Sequence, residues 1–127
     1  TIRSATIEEI EVLAEMNHRL VEDMVTENWS HDRYRDRFQR WIEGHRWSVD
    51  LFVEERMPVG YSVYQRRQDH FDNAQGVIFI RHFYIEREHR RRGLGRSAFN
   101  LLVETRFPRH SGLTLDVLPT NPDAAKF

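Results

Sequence analysis

The chain contains no cysteine. That removes disulfides, thiolate metal sites and a cysteine nucleophile together, and it fits a reducing, cytoplasmic setting. No apolar run approaches the roughly 20 residues of a membrane span, and no signal-peptide pattern opens the chain at Thr1. The reading is therefore of a protein with no membrane partner. An excess of one charge is also missing: 19 Lys and Arg face 20 Asp and Glu, for a formal net charge of −1. A chain so balanced does not bind a polyanion with its whole surface. The local basic run of Arg87 and Arg90 to Arg92 has no aromatic platform beside it, which counts against a nucleic-acid partner. The histidines, at 18, 31, 45, 70, 82, 89 and 110, form no i, i+4 ligand pair and meet no acidic cluster, so no metal is expected.

What is present suits one compact domain. At 127 residues the chain can bury a core without staples. Phe, Tyr and Trp at 12% supply large pieces for it. No repeat, low-complexity tract or linker interrupts the sequence, and the elements alternate in the manner of an α/β or α+β layered fold.

Ile2 to Ala5 reads as a short strand. Thr6 and Glu9 form a capping box, and Ile10, Leu13, Met16, Leu20, Val21 and Met24 recur at helical spacing. Val25 to Trp29 is a break. Ser30 caps a second helix with Tyr34, Phe38, Trp41 and Ile42 on one face. The remainder of His31 to Arg40 reads as a solvated face. The period then becomes two: Trp47, Val49, Leu51 and Val53 alternate with Ser48, Asp50, Phe52 and Glu54, followed by a turn at Glu55 to Pro58 and a partner strand through Val59, Tyr61 and Val63. Asp72 to Gly76 is a second turn region. Val77 to Ile85 begins with residues apolar on both sides, as expected of a central strand covered on both faces. A loop, Glu86 to Arg92, leads to a helix carrying Leu94, Ala98, Leu101 and Leu102 and ended by Pro108. Leu113 to Val117 is a fifth strand. Asn121 and Pro122 open a last helix. A domain rarely ends one turn into a helix on its apolar residue, so the chain is read as a single domain, 1–127, cut short at its C-terminus.

The stretch that carries chemistry is Arg90-Arg91-Arg92-Gly93-Leu94-Gly95-Arg96, between the buried strand and the amphipathic helix. A helix start has free backbone N–H groups and a partial positive charge. Glycines let that backbone approach a phosphate, and arginines add fork-shaped donors. The combination suits a di-anion such as pyrophosphate. It is not a P-loop, because no Gly-Lys-Ser/Thr follows, nor a dinucleotide fingerprint, which needs a third glycine.

In its context the stretch resembles motif A of the GCN5-related N-acetyltransferases (GNAT). A strand ends in an aliphatic residue, Ile85; Arg90 follows five residues later, and the pattern Arg/Gln-x-x-Gly-x-Gly/Ala runs from Arg90 to Gly95. Asn121, Ala124 and Phe127 match the Asn-x-x-Ala-x-x-Phe pattern of motif B. The element order agrees as well, over the whole chain.

The resemblance implies a GNAT fold: a mixed, mostly antiparallel central sheet with helices on both faces, lacking its C-terminal strands. It implies an N-acetyltransferase that moves an acetyl group from acetyl-CoA to a primary amine, on a small molecule or a peptide, by direct attack on the thioester. Backbone groups of Phe83, Tyr84 and Ile85 would pair with the pantetheine arm as an added strand. The segment Arg90, Arg91, Arg92, Gly93, Leu94, Gly95 and Arg96 would cradle the pyrophosphate, and Asn121 would bond the cofactor further along. Homodimers are common among such relatives.

Two positions depart from the pattern. Many relatives place a general-base Glu on the central strand at the positions of Phe79 or Arg81; the adjacent candidate here is His82, whose ordinary pKa suits a base. A regular strand points His82 away from Arg81, a bulge re-aims it, and the alternative is a buried, hydrogen-bonded strand histidine. Arg81 either binds an acidic group on the substrate or pairs with a structural carboxylate. The Tyr that relatives place after the Phe matched by Phe127 is also missing. A second reading follows from both departures: an acyl-CoA-binding or regulatory module that has lost chemistry. Glu22, Asp23 and Glu27 border the region where the family binds its acceptor; they read as ordinary surface acids or, alternatively, as groups that attract a cationic amine.

Overall fold

The computed structural model describes residues 1–22, 30–44, 46–67, 77–90, 93–107 and 112–115. Strand β1 (Ile2–Ser4) runs through a 3₁₀ turn at Ile7–Glu9 into helix α1 (Ile10–Glu22), then α2 (His31–Glu43), β2 (Ser48–Glu54), β3 (Met57–Arg67), β4 (Val77–Ile85), one helical turn α3 (Arg87–Arg90), α4 (Leu94–Arg106) and β5 (Gly112–Leu115). The sheet order is β1-β2-β3-β4-β5. Its first four strands are antiparallel neighbours, and β5 joins β4 in parallel through the α4 crossover. This is the mixed, mostly antiparallel sheet that the family resemblance implies.

The helix starts form as the caps dictate. The Glu9 carboxylate accepts from the Thr6 N–H at 3.0 Å, and the Ser30 hydroxyl oxygen accepts from the Arg33 N–H at 3.4 Å. Helices α1 and α2 bury Leu13, Met16, Leu20, Tyr34, Phe38 and Trp41 against Val49, Leu51, Tyr61, Val63 and Tyr84 on one sheet face. Helix α4 buries Ala98 and Leu102 against Phe52, Val59, Tyr64, Ile78, Ile80 and Ile85 on the other. The sheet is thus covered on both sides.

Several details differ from the sequence reading. The β2–β3 turn is only Glu55-Arg56, both at positive φ (51° and 69°), and Pro58 already pairs with Val53. The nominally polar side of β2 is buried: Asp50 and Phe52 are each 2% exposed, because α4 covers that face and Asp50 gains the Tyr64 hydroxyl at 2.7 Å and the Arg106 guanidinium at 3.1 Å. The loop after β4 contains the helical turn α3. Strand β5 starts at Gly112, one residue early. The break at 25–29, the turn at 72–76, Pro108, Asp116 and Val117, and the helix from Asn121 to Phe127 lie outside the described residues. Among the described residues no helix is long and apolar enough to cross a membrane.

Candidate active site

Strand β4 carries a bulge. Val63 pairs with His82 and Tyr64 with Ile80, leaving Arg81 as the extra residue. A regular strand would send Arg81 and His82 to opposite faces; the bulge turns both toward α2. The His82 ring lies 5.5 Å from the Trp41 ring, edge to face. The Arg81 guanidinium lies 5.4 Å over Trp41 and 5.3 Å over Trp47.

His82 is 7% exposed and is gripped at both nitrogens. Its Nε2 is 3.2 Å from Nη2 of Arg37, and its Nδ1 is 3.0 Å from the Tyr61 hydroxyl. A guanidinium only donates, so Nε2 accepts and the proton of the neutral ring sits on Nδ1, donated to the Tyr61 oxygen. Burial, then the Arg37 and Arg81 cations, push the imidazole pKa well below its ordinary range.

The end of β4 is tied down on several sides. The Glu86 N–H donates to the Val59 carbonyl at 2.8 Å, and Arg19 of α1 donates to the Glu86 carboxylate at 3.0 Å. Tyr84, buried beside Glu86, has its hydroxyl pKa pushed up to about 12, by burial first and then by the Glu86 charge. Ile85 approaches Gly60 so closely that a Cβ there would lie 2.2 Å from the Tyr84 carbonyl oxygen. On its far edge β4 pairs with β5 from Val77 to Ile80; among the described residues, Phe83, Tyr84 and Ile85 have strand partners only on the β3 side, at Ser62, Tyr61 and Gly60.

The loop then rises to the start of α4. Arg90 folds back, its Nε donating to the Ile85 carbonyl at 2.8 Å and its guanidinium 5.3 Å over the Tyr84 ring. Gly93 caps α4 in the left-handed conformation (φ 71°, ψ 12°), which only glycine adopts without strain. The first α-helical bond runs from the Ser97 N–H to the Gly93 carbonyl at 3.2 Å, so the amides of Leu94, Gly95 and Arg96 have no intrahelical acceptor. No acidic residue occupies the first turn to offset the positive helix end. Arg91, Arg92 and Asn121 lie outside the described residues, as do Asp23 and Glu27. No group of three or more His, Asp or Glu among the described residues is arranged to hold a metal ion.

The sequence reading missed the neighbours of His82. Arg37, placed in a solvated face, is 7% exposed and reaches under the sheet. The signal was its spacing: three residues after Tyr34 and four before Trp41 puts it on the buried stripe. Asn17 is also fully buried, between Leu13 and Leu20 on α1, and its amide has no hydrogen-bond partner among the described residues.

The fold recurs in solved structures. A possible acetyltransferase from Clostridium difficile 630 matches at TM-score 0.81 and 19% identity, over 98% of this chain and 83% of that one. The ribosomal-protein-alanine N-acetyltransferase from Brucella melitensis biovar Abortus 2308 matches at 0.79 and 14%, over 99% and 85%. A predicted acetyltransferase from Clostridium acetobutylicum, solved with acetyl-CoA, matches at 0.71 and 14%, over 99% and 86%. At such identities these likenesses define the fold. No curated protein sequence matches the chain. The family model of the acetyltransferase (GNAT) family matches residues 13–127, and the chain belongs to that family.

Proposed function

We propose that the protein is an N-acetyltransferase that takes acetyl-CoA as donor and a primary amine as acceptor. The observation that carries this reading is the start of α4: a left-handed Gly93, three amides without intrahelical acceptors and an uncompensated positive helix end, one helical turn on from the central strand. Amides of Leu94, Gly95 and Arg96, with Gly93 setting the turn and Arg91 and Arg92 adding charge, hold the pyrophosphate; Arg90 acts at one remove, bracing the loop against β4. Backbone groups of Phe83, Tyr84 and Ile85 take the pantetheine arm, and Asn121 bonds it further along.

Bound acetyl-CoA supplies an activated acetyl group: the amine nitrogen attacks the thioester carbon, the C–N bond forms, the C–S bond breaks and the thiolate leaves as CoA. A backbone N–H of β4 near Phe83 stabilises the negative charge developing on the carbonyl oxygen. The proton lost by the amine goes to His82. The imidazole is held neutral, the form a base requires, but Arg37 must first release Nε2. Because its pKa is pushed down, His82 suits the acidic ammonium formed after C–N bond formation better than a free protonated amine.

One observation favours a second reading. Arg81 stands where relatives carry a carboxylate, and the His82 acceptor atom is already occupied; a binding module without chemistry would look the same. Calorimetric titration of the chain with acetyl-CoA, ADP and a DNA duplex tests the first step. Binding of acetyl-CoA well above both controls is expected. A folded chain that binds acetyl-CoA no better than ADP would overturn the pyrophosphate and pantetheine assignments, while tight binding without turnover of any amine would select the module.

A further inference from the structure

We infer that Arg81 recognises an anionic group on the acceptor, so that the substrate is an amine carrying a carboxylate or phosphate a few bonds from its nitrogen. The inference deepens the reading of the site as an acetyltransferase centre and rests on it. Three observations lead to it.

First, Arg81 is the extra residue of the β4 bulge, two residues before Phe83, or about 7 Å along the strand. The bulge presents it on the side of α2, next to the strand segment proposed to hold the thioester. Second, its guanidinium is exposed yet positioned. It lies 5.4 Å over Trp41 and 5.3 Å over Trp47, and two indole faces restrict where its donors point. Trp47 is itself backed by Phe79 at 6.3 Å between centroids, and Trp41 by Phe38 at 5.2 Å. Third, no carboxylate pairs with Arg81 among the described residues. Its neighbours add positive charge: the Arg37 guanidinium lies 4.5 Å over the same Trp41 ring. The second possibility raised by the sequence, a structural carboxylate partner, is therefore not what the described residues provide. An anion brought by the substrate would complete the arrangement with paired charge-assisted bonds. It would leave the amine within reach of the thioester.

The chemistry does not separate carboxylate from phosphate, so the test carries both. Turnover with acetyl-CoA is measured for the common α-amino acids against their α-carboxamides, and for phosphoethanolamine against ethanolamine. Acetyl-CoA affinity is followed in parallel by calorimetry. For at least one pair the anionic member is expected to exceed its neutral counterpart in kcat/KM by about 10- to 100-fold, the range of a charge-assisted contact. In Arg81→Met that preference collapses toward unity through a rise in KM, and Arg81→Lys restores part of it. Acetyl-CoA affinity is the same in all three proteins. Equal turnover of anionic and neutral members overturns the proposal. So does a preference that survives Arg81→Met, or acetyl-CoA binding with no anionic amine acetylated. Loss of acetyl-CoA binding in the wild-type chain would overturn the acetyltransferase reading instead.

Discussion

His82 shows how much a single side chain depends on neighbours that sequence does not place beside it. Its residue type and strand position were legible; its state was not, because Arg37 and Tyr61 come from other elements. The expected consequence is a pH profile of turnover whose acid limb lies below the ordinary imidazole range, since burial and two cations disfavour the charged ring. His82→Gln should lower kcat by about 10²-fold, the contribution of a general base, and remove the limb. Arg37→Met should move the limb upward, because one of the opposing cations is gone. A profile unchanged by either substitution would leave His82 a structural residue. Gly60 makes the complementary point. Nothing in the sequence singles it out, yet a Cβ there would lie 2.2 Å from a backbone oxygen that cannot step aside. Gly60→Ala should cost about 1 to 3 kcal/mol, read as a lower urea midpoint with m unchanged.

Among elements, the caps and periodicities were legible because their causes are local. Thr6 with Glu9 and Ser30 with the Arg33 amide involve residues three apart, and the stripes of α1, α2 and α4 follow from 3.6-residue spacing. The β4 bulge was legible only as an alternative, because it exists through register with β3. The β2–β3 turn was misjudged for the same reason: Glu55-Arg56 carries none of the Asn-Gly signal that its two positive φ angles favour. That mismatch is correctable. Replacing the pair with Asn-Gly should stabilise the protein by about 1 to 2 kcal/mol, raising Tm without affecting acetyl-CoA affinity. The start of α4 was the most legible feature, since glycine and arginine types nearly define it. Gly93→Val forces a β-branched residue to φ near 71°, so acetyl-CoA affinity should fall at least 10-fold while the circular dichroism of the folded chain persists. Unchanged affinity in the folded variant would remove the cradle assignment.

The buried imidazole also links the candidate site to the stability of the whole molecule. In the unfolded chain His82 titrates near 6.5, whereas in the folded protein its pKa lies well below that value. Above about 6.5 both states are neutral and the group contributes no pH dependence. As pH falls below 6.5 the unfolded chain binds a proton that the folded protein refuses, so stability declines until the depressed folded pKa is reached. The slope for one proton is at most about 1.4 kcal/mol per pH unit. The paired carboxylate of Glu9 acts in a different window. Its hydrogen bonds with Arg3 lower its pKa from 4.5, so its contribution is present above 4.5 and lost only as pH drops further. Urea midpoints at pH 7.5, 6.5 and 5.5 should therefore separate the two: the wild-type midpoint falls across the last interval, and the His82→Gln midpoint falls less. The readout is this difference in slope, which is insensitive to any constant destabilisation that the substitution introduces. Parallel declines in both proteins would mean that another group carries the acid sensitivity and that the folded environment of His82 tolerates its charge. The same buried, cation-flanked imidazole proposed to set the acid limb of turnover would then account for neither.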